Sequence, residues 1–293
     1  MNERLADVFE KLFDFSTTVH LLGYDFVQQA LLAGALLGLL AGVLGPLIIS
    51  RQMSFAVHGT SELSLTGASA ALLAGISVGV GAILGSVVAA VLFGLLGSRA
   101  RDRDSVIGVI LSFGLGLSVL FMWLYPGRTG TSFSLLVGQI VGVGTSGLTL
   151  LLACSVVVLI VLAIVYRPLL FASTDPEVAL ARGVPVRALT VIFAVLIGVA
   201  AALGVQIVGA LLVLALLITP AASAVRLTAS PLRATILATI FAEVAAVGGI
   251  LLSLAPGVPV SSFVTTISFV IYLACRVVGT RRERRAGRRL APA

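Results

Sequence analysis

Charged residues are scarce in this sequence. They make up 11% of its 293 residues, against about 25% in a soluble globular domain. Hydrophobic residues make up 59%, and the mean hydropathy is +1.18. This composition excludes an ordinary soluble domain and indicates a chain that crosses a membrane several times, in spans of about 20 residues. The net charge of +7 does not indicate nucleic-acid binding, because much of it lies in residues 281–289 (RRERRAGRR).

Cysteine and histidine are also rare, with two residues of each, and a nucleotide-binding motif is absent from the sequence. Cys154 and Cys275 lie in apolar segments without a C-x-x-C spacing, which favours buried small side chains over a disulfide or metal thiolates. The two histidines, His20 and His58, are too few for an intramembrane metalloenzyme, which would want three protein ligands and a general base. No G-x-x-x-x-G-K-[ST] loop occurs. Residues 1–20 lack the apolar core of a signal peptide.

The apolar runs predict an all-α polytopic membrane protein with nine transmembrane helices, or eight if one segment is re-entrant. Residues 1–25 are expected to form an interfacial segment, 26–279 a single transmembrane domain, and 280–293 a basic cytoplasmic tail. The predicted spans are 26–49, 53–77, 79–97, 106–124, 147–166, two within 188–225 that divide around Gly204–Gln206, 234–254 and 260–279. Residues 133–144 are too short to span.

Arginines give the expected orientation. Three of them lie in residues 98–104 (SRARDRD), and more follow the last span. Loops rich in Lys and Arg remain in the cytoplasm. We therefore expect the N-terminus outside and the C-terminus inside.

One segment at the start of a predicted span is unusually polar. Residues 51–67 read RQMSFAVHGTSELSLTG. His58 and Glu62 are four residues apart, which places them one turn apart on one helix face, and steps of four extend that face to Ser54 and Thr66. Lipid cannot hydrogen-bond or solvate charge, so such residues face a bundle interior or a water-filled path. The stripe predicts a polar pathway.

Three interpretations of the His58–Glu62 pair are open. Imidazole and carboxylate suit Zn²⁺, Mn²⁺ or Fe²⁺, and the lack of thiolates argues against a soft-metal site. Alternatively, the pair hydrogen-bonds to itself between helices, or it relays protons. We favour transient metal coordination, because intramembrane ionisable residues are usually functional and a transporter must release its cargo.

Other polar residues within the apolar segments are candidates for the pathway or a gate, each with a structural alternative. Gln139 and Gln206 are the sort of residue that hydrogen-bonds neighbouring helices together. Thr219 precedes Pro220, which is expected to kink its helix. Glu243 is a single carboxylate within a span, either hydrogen-bonded inside the bundle or part of the pathway.

Residues 166–187 form the longest polar stretch inside the chain, and two spans separate them from the arginine loop, so they too are expected in the cytoplasm. Within them, Thr174 or Asp175 can cap a helix, Pro176 suits its first position, Glu177 favours its positive end, and Gly183 ends it. A capped helix between two spans indicates a contact element, although these residues also suit capping alone.

Three stretches together resemble the permease subunits of ABC importers for zinc, manganese and iron, over roughly residues 26–279. They are Arg51-x-Met53-Ser54-Phe55 before the polar helix, Asp175-Pro-Glu177 followed by Gly183-Val-Pro-Val186, and residues 208–222 (VGALLVLALLITPAA). Any one of them alone is weak. Their order and spacing make the resemblance fairly specific.

The resemblance implies a homodimeric channel in a prokaryotic plasma membrane, without catalytic activity of its own. It would take metal from an extracytoplasmic binding protein and be driven by cytoplasmic ATPase subunits, which dock on the helix that includes Asp175, Pro176, Glu177, Arg182 and Gly183. Members of that family commonly have Asp and then His four residues later on the polar helix. His58 and Glu62 reverse that order, which leaves the ligand types but puts the metal preference in doubt.

A proton-coupled carrier that acts without an ATPase is the main alternative function, with His58, Glu62 and Glu243 as its relay. Such a carrier needs no docking element. The capped cytoplasmic helix therefore argues against it, and the ATP-driven importer is the preferred interpretation.

Overall fold

The computed structural model describes residues 15–96, 100–126 and 144–290. Its described residues fold into twelve helices, in agreement with the predicted all-α class. In chain order they are α1 (Phe15–Leu21), α2 (Asp25–Ser50), α3 (Ser54–Ala74), α4 (Val78–Leu96), α5 (Ala100–Leu124), α6 (Thr145–Thr174), α7 (Pro176–Ala181), α8 (Val186–Val208), α9 (Ala210–Leu217), α10 (Thr219–Val225), α11 (Pro231–Leu254) and α12 (Val260–Leu290).

Seven of these helices are long and apolar enough to cross a membrane: α2, α4, α5, α6, α8, α11 and α12. Helix α3 is too polar for that group, although its 21 residues extend about 31 Å at 1.5 Å per residue. Helices α9 and α10 form one apolar segment that is broken in the middle. Among the described residues, adding α3 and this broken segment to the seven gives about nine crossings, close to the predicted number.

Side-chain contacts show which helix ends lie together. Arg51, after α2, bonds to Ser173 at the end of α6 and to Thr190 near the start of α8. At the opposite end, Gln206 of α8 bonds to Gly79 at the start of α4. The chain therefore alternates between two ends as the topology requires. We call the end that contains Arg51 the inner end, because the arginine-rich residues 98–104 follow α4 there.

Helices α2 and α8 form the centre of the bundle. In each, 67% of the most apolar stretch is buried, against 33% or less in the other five long apolar helices. Helices α3, α4 and α5 pack together on one side, while α10, α11 and α12 pack together on the other. Small residues permit the close approach, since Gly42 of α2 lies against the backbone of Thr239 in α11.

Several predicted boundaries were wrong by a few residues. Helix α8 continues past Gly204–Gln206, and the break comes at Gly209, whose φ of 90° is a conformation that side chains disfavour. Helix α6 continues to Thr174, because Leu169 and Ala172 in the predicted polar loop are buried. Helix α12 extends without a break to residue 290, so that much of the basic tail continues the last span.

Two predictions fall largely outside the described residues. Gln139 and all but the last residue of the short segment 133–144 lie outside the described residues. Of the predicted interfacial segment 1–25, the structure describes α1 and the turn that leads into α2. The predicted kink at Thr219-Pro220 is present, because α9 ends at Leu217 and α10 begins at Thr219 with the proline in its first turn.

Candidate functional site

The polar stripe lies entirely on α3, along its open side. Ser54, His58, Glu62 and Thr66 are each half-buried. The hydroxyl side chains between them, Thr60, Ser61 and Ser64, are at most 1% exposed. Helices α4, α5, α8 and α9 pack on α3, and none of them buries the stripe fully. The four positions that the helical period placed on one face are therefore all partly exposed.

The buried hydroxyls of α3 satisfy themselves within their own helix. Thr60 donates to the carbonyl of Ala56 at 2.9 Å, Ser61 to that of His58 at 2.8 Å, and Ser64 to that of Ser61 at 2.6 Å. Such bonds let a polar residue sit in an apolar bundle at little cost.

His58 is the member of the stripe with a buried side-chain atom that lacks a hydrogen bond among the described residues. Its Nδ1 atom is buried and has no hydrogen-bond partner among the described residues. The ring of Phe55 lies on one side of it, with 6.1 Å between the two ring centroids. A buried nitrogen without a partner costs about 1–3 kcal/mol. His58 and Glu62 therefore do not hydrogen-bond to each other through that atom.

The two ends of the stripe are in different environments. Thr66 donates to the carbonyl of Gly114 at 2.9 Å and shares a 2.7 Å hydrogen bond with Ser118, both on α5. Thr66 thus joins two helices. Ser54 is the first residue of α3, one turn before His58 and close to the inner end. His58 and Glu62 are the ionisable members between them.

The other pathway candidates lie away from this pair. Glu243 lies over Gly38, where an added Cβ would be 3.0 Å from the carboxyl carbon, and its helix α11 packs on α2, α10 and α12. Gln206 donates to the carbonyl of Gly79 at 3.4 Å, as expected of a residue that joins helices. Thr219 accepts from Ser223 through its carbonyl. In the described part of the chain, no group of three or more His, Cys, Asp or Glu side chains could hold a metal.

Ser86 of α4 braces α3 beside the pair, a role that its sequence context did not indicate. It is fully buried and donates to the carbonyls of Thr60 at 3.0 Å and of Gly198 in α8 at 2.7 Å.

Replacing Ser86, in the Ser86→Ala variant, should destabilise the protein by about 1 kcal/mol, the usual value of an interhelical hydrogen bond in a membrane. Thermal unfolding in detergent measures this. Ser112→Ala, which removes an exposed hydroxyl bonded only within α5, is the control, and equal melting temperatures for the two variants would contradict it.

The capped helix predicted at residues 175–183 is present as α7. The Asp175 side chain accepts from the amide of Val178 at 3.0 Å, Pro176 is the first helical residue, and Glu177 lies exposed in the first turn. After Arg182, Gly183 has a φ of 79°, a left-handed conformation that suits glycine.

Helix α7 presents an apolar surface at the inner end. Ala179 is fully buried and anchors it, while Val178 and Leu180 are 44% and 58% exposed. Exposed apolar side chains on a short capped helix outside the spans are typical of a contact surface. Beside α7, a cleft of about 680 Å³ is lined by Arg51, Asp104, Pro176 and Arg187, among others.

Arg51 joins the end of α6 and the start of α8, which flank α7, to the turn before α3. Its Nη1 donates to Ser173 Oγ at 3.1 Å and its Nη2 to Thr190 Oγ1 at 2.8 Å. Its guanidinium lies 5.9 Å from the centroid of the buried Phe193 ring. In the sequence, Arg51 was named only as part of the first stretch that carries the family resemblance. Its partners are 122 and 139 residues away, too far for any local pattern to predict.

Comparison with known proteins identifies the family. The sequence profile of the ABC 3 transport family matches residues 23–279. The chain belongs to the ABC 3 transport family. The match includes the polar helix α3, α7 and the long apolar helices, the last of which, α12, continues beyond its end.

Individual relatives agree with this assignment. The manganese transport system membrane protein MntC of Halalkalibacterium halodurans is 34% identical over 237 residues, 80% of this chain and 80% of that protein. The manganese import system permease protein ScaB of Streptococcus parasanguinis is 29% identical over 262 residues, 89% of this chain and 93% of that protein. The solved structure of PsaBC from Streptococcus pneumoniae in complex with Fab superposes with a TM-score of 0.79 at 26% identity, covering 89% of this chain and 94% of that chain.

The resemblance to metal ABC importer permeases is thereby confirmed. Together with the seven long apolar helices, the family makes this ABC 3 protein a multi-pass protein of the prokaryotic plasma membrane. It is a permease subunit and not itself an enzyme. In ABC transporters the ATPase is a separate part, which agrees with the lack of a phosphate-binding loop in the sequence.

Proposed function

We propose that this chain is the permease of an ATP-driven importer for Mn²⁺, in which His58 and Glu62 bind the ion transiently on its way to the cytoplasm. The observation that carries this proposal is the buried Nδ1 of His58, which has no partner in the part of the chain that the structure describes and lies one turn from a carboxylate on the open side of α3. Imidazole and carboxylate are ligands that Mn²⁺ accepts.

One chain supplies too few ligands for a stable site. In the described residues, the His58–Glu62 pair has no third His, Cys, Asp or Glu nearby. A second copy of the chain facing α3 would double the set to two imidazoles and two carboxylates. We therefore propose a homodimer in which the two polar stripes line a common path, with coordination weak enough to release the ion.

Helix α7 is the proposed ATPase contact. The exposed Val178 and Leu180, held on a helix with a satisfied N-cap, form a compact apolar surface at the inner end. An extracytoplasmic binding protein would deliver the ion at the opposite end. Family membership favours this ATP-driven arrangement over a proton-coupled carrier.

Manganese is preferred over zinc because the relatives named above are manganese systems. The ligand set alone does not decide, since imidazole and carboxylate also bind Zn²⁺. The His-then-Glu order differs from the Asp-then-His order that the family resemblance implies, but it keeps the same ligand chemistry.

Uptake by cells that express the chain with its neighbouring ATPase and binding protein tests the proposal. Radioactive Mn²⁺ should accumulate in the cells, and excess unlabelled Mn²⁺ should compete with it better than Zn²⁺ does. ATP depletion should stop the uptake, whereas a protonophore added at constant ATP should not stop it. Uptake that stops with the protonophore and survives ATP depletion would replace the importer with the proton-coupled carrier. Stronger competition by Zn²⁺ would change the substrate and leave the mechanism in place.

A further inference from the structure

One side chain ties the two helices that flank α7 to the turn before the polar helix α3, in addition to the direct packing of α8 on α3. Arg51 follows α2 and lies three residues before Ser54, the first residue of α3. Its two hydrogen-bond partners flank α7 in the chain: Ser173 comes two residues before the cap Asp175, and Thr190 lies in the second turn of α8. The guanidinium therefore holds both ends of the segment that carries α7.

The two hydroxyls are oriented to receive this contact. Ser173 donates its own proton to the carbonyl of Leu169 at 2.6 Å, and Thr190 donates to that of Val186 at 2.9 Å. Each hydroxyl oxygen therefore presents its remaining lone pairs to Arg51. A guanidinium can donate to two acceptors at once from a rigid planar group, whereas a lysine ammonium cannot reproduce that geometry.

The turn between Arg51 and α3 is tight. Gln52 has a φ of 54°, a left-handed conformation that is uncommon outside glycine. The amide of Met53 bonds back to the carbonyl of Ile48 at 2.9 Å, and the Met53 side chain is buried. This is the hydrogen bond of a Schellman-type helix end. A displacement of Arg51 therefore moves the start of α3 instead of being absorbed by a flexible loop.

The distance to the candidate site is short. His58 comes four residues after Ser54, the first residue of α3, which is about 6 Å along the helix axis. The path from the helices that flank α7 to His58 thus consists of the Arg51 contacts, one tight turn and about one turn of helix.

We infer that Arg51 is a positioning residue that transmits movement of α7 to the His58–Glu62 helix, so that ATP hydrolysis by the partner changes the exposure of the ion-binding pair. This inference rests on the proposed function for the nature of the cargo. The link itself is a property of the contacts around Arg51. Loss of the link should uncouple ATP hydrolysis from transport, while the ATPase subunits and the ion-binding pair both remain intact.

The test compares coupling in proteoliposomes that contain the whole complex. The variants are Arg51→Lys and the double substitution Ser173→Ala with Thr190→Ala, which keeps the arginine and removes its acceptors. Thr174→Ala is the matched control, since that neighbouring hydroxyl is exposed and bonds only within α6. We expect ATPase activity within about twofold of wild type, and Mn²⁺ moved per ATP lowered at least fivefold in both variants but unchanged in the control. A ratio equal to that of wild type in the double variant would overturn the inference.

A second readout does not depend on the cargo. A nitroxide attached to the Phe55→Cys variant, with Cys154 and Cys275 replaced by serine, reports the movement of α3, because Phe55 is 38% exposed. Trapping the ATPase with ATP and vanadate should change the spectrum in the otherwise native chain and leave it unchanged when Ser173 and Thr190 are alanines. The same change in both backgrounds would refute the link. If wild type moves no Mn²⁺, the proposed function fails, and this spectral comparison still decides the role of Arg51.

Discussion

Uptake of Mn²⁺ is expected to fall at least tenfold in the His58→Ala variant and in the Glu62→Ala variant, with the protein still present in the membrane. Loss even of a residue that supports a metal ligand costs about 10–100-fold in affinity or activity, and a ligand itself should cost no less. In the proposed dimer, each substitution would remove two of four ligands. Initial rates of radioactive Mn²⁺ uptake, normalised to the amount of protein, measure the effect.

Further variants separate a metal site from general damage to α3. Ser69→Ala lies on the same helix and removes a buried hydroxyl that bonds only to the carbonyl of Thr66, so its uptake should remain near wild type. The double variant His58→Ala/Glu62→Ala should be no worse than the single variants, because residues of one site are not additive. Unchanged uptake in the single variants would make the pair structural and move the search to Gln206 and Glu243.

A swapped variant tests the reversed ligand order. Placing the carboxylate first, in His58→Asp/Glu62→His, restores the order that the family resemblance implies. The swap keeps one imidazole and one carboxylate on the same face. We expect it to recover at least part of the uptake that either alanine variant loses.

The second large effect is expected at Gly67, where α3 crosses α4. A Cβ at this position would overlap the carbonyl oxygen of Gly81 and would lie 2.7 Å from the Cα of Gly85. Both neighbours are backbone, which cannot move aside as the end of a side chain can. Overpacking lowers the stability of a protein by about 1–3 kcal/mol and occasionally more. We expect the loss of stability in Gly67→Ala to lie at or above the top of that range. The α3–α4 crossing also positions the His58–Glu62 stripe.

Gly116 of α5 provides a matched control, because an added Cβ there meets no other atom within 4 Å. The Gly116→Ala variant should accumulate as wild type does, since alanine is also the better helix former. Gly67→Ala should be nearly absent from the monodisperse peak in fluorescence-detected size-exclusion chromatography. Equal peaks for the two variants would mean that α3 and α4 can separate without loss of the fold.

Features that depend on a few neighbouring residues were determined by the sequence. Long uncharged runs gave the membrane spans, since lipid excludes charge. A period of four placed Ser54, His58, Glu62 and Thr66 on one face, and α3 shows them sharing one degree of burial. The cap at Asp175 and the stop at Gly183 were likewise local, because a cap acts within three residues of itself.

The tertiary structure decided which polar side chains contact each other. The pattern did not separate Thr66, which bonds to α5, from His58, whose Nδ1 has no partner in the described chain. It left open whether Glu243 belongs to the pathway or to the interior of the bundle, and the structure places that carboxylate against Gly38.

The contact of Arg51 with Ser173 and Thr190 joins residues more than 120 positions apart. In a chain this apolar, many helix faces are equally suited to lipid or to a neighbour. Close packing of small residues and a few interhelical hydrogen bonds therefore select the arrangement. Those contacts exist only after the helices have assembled.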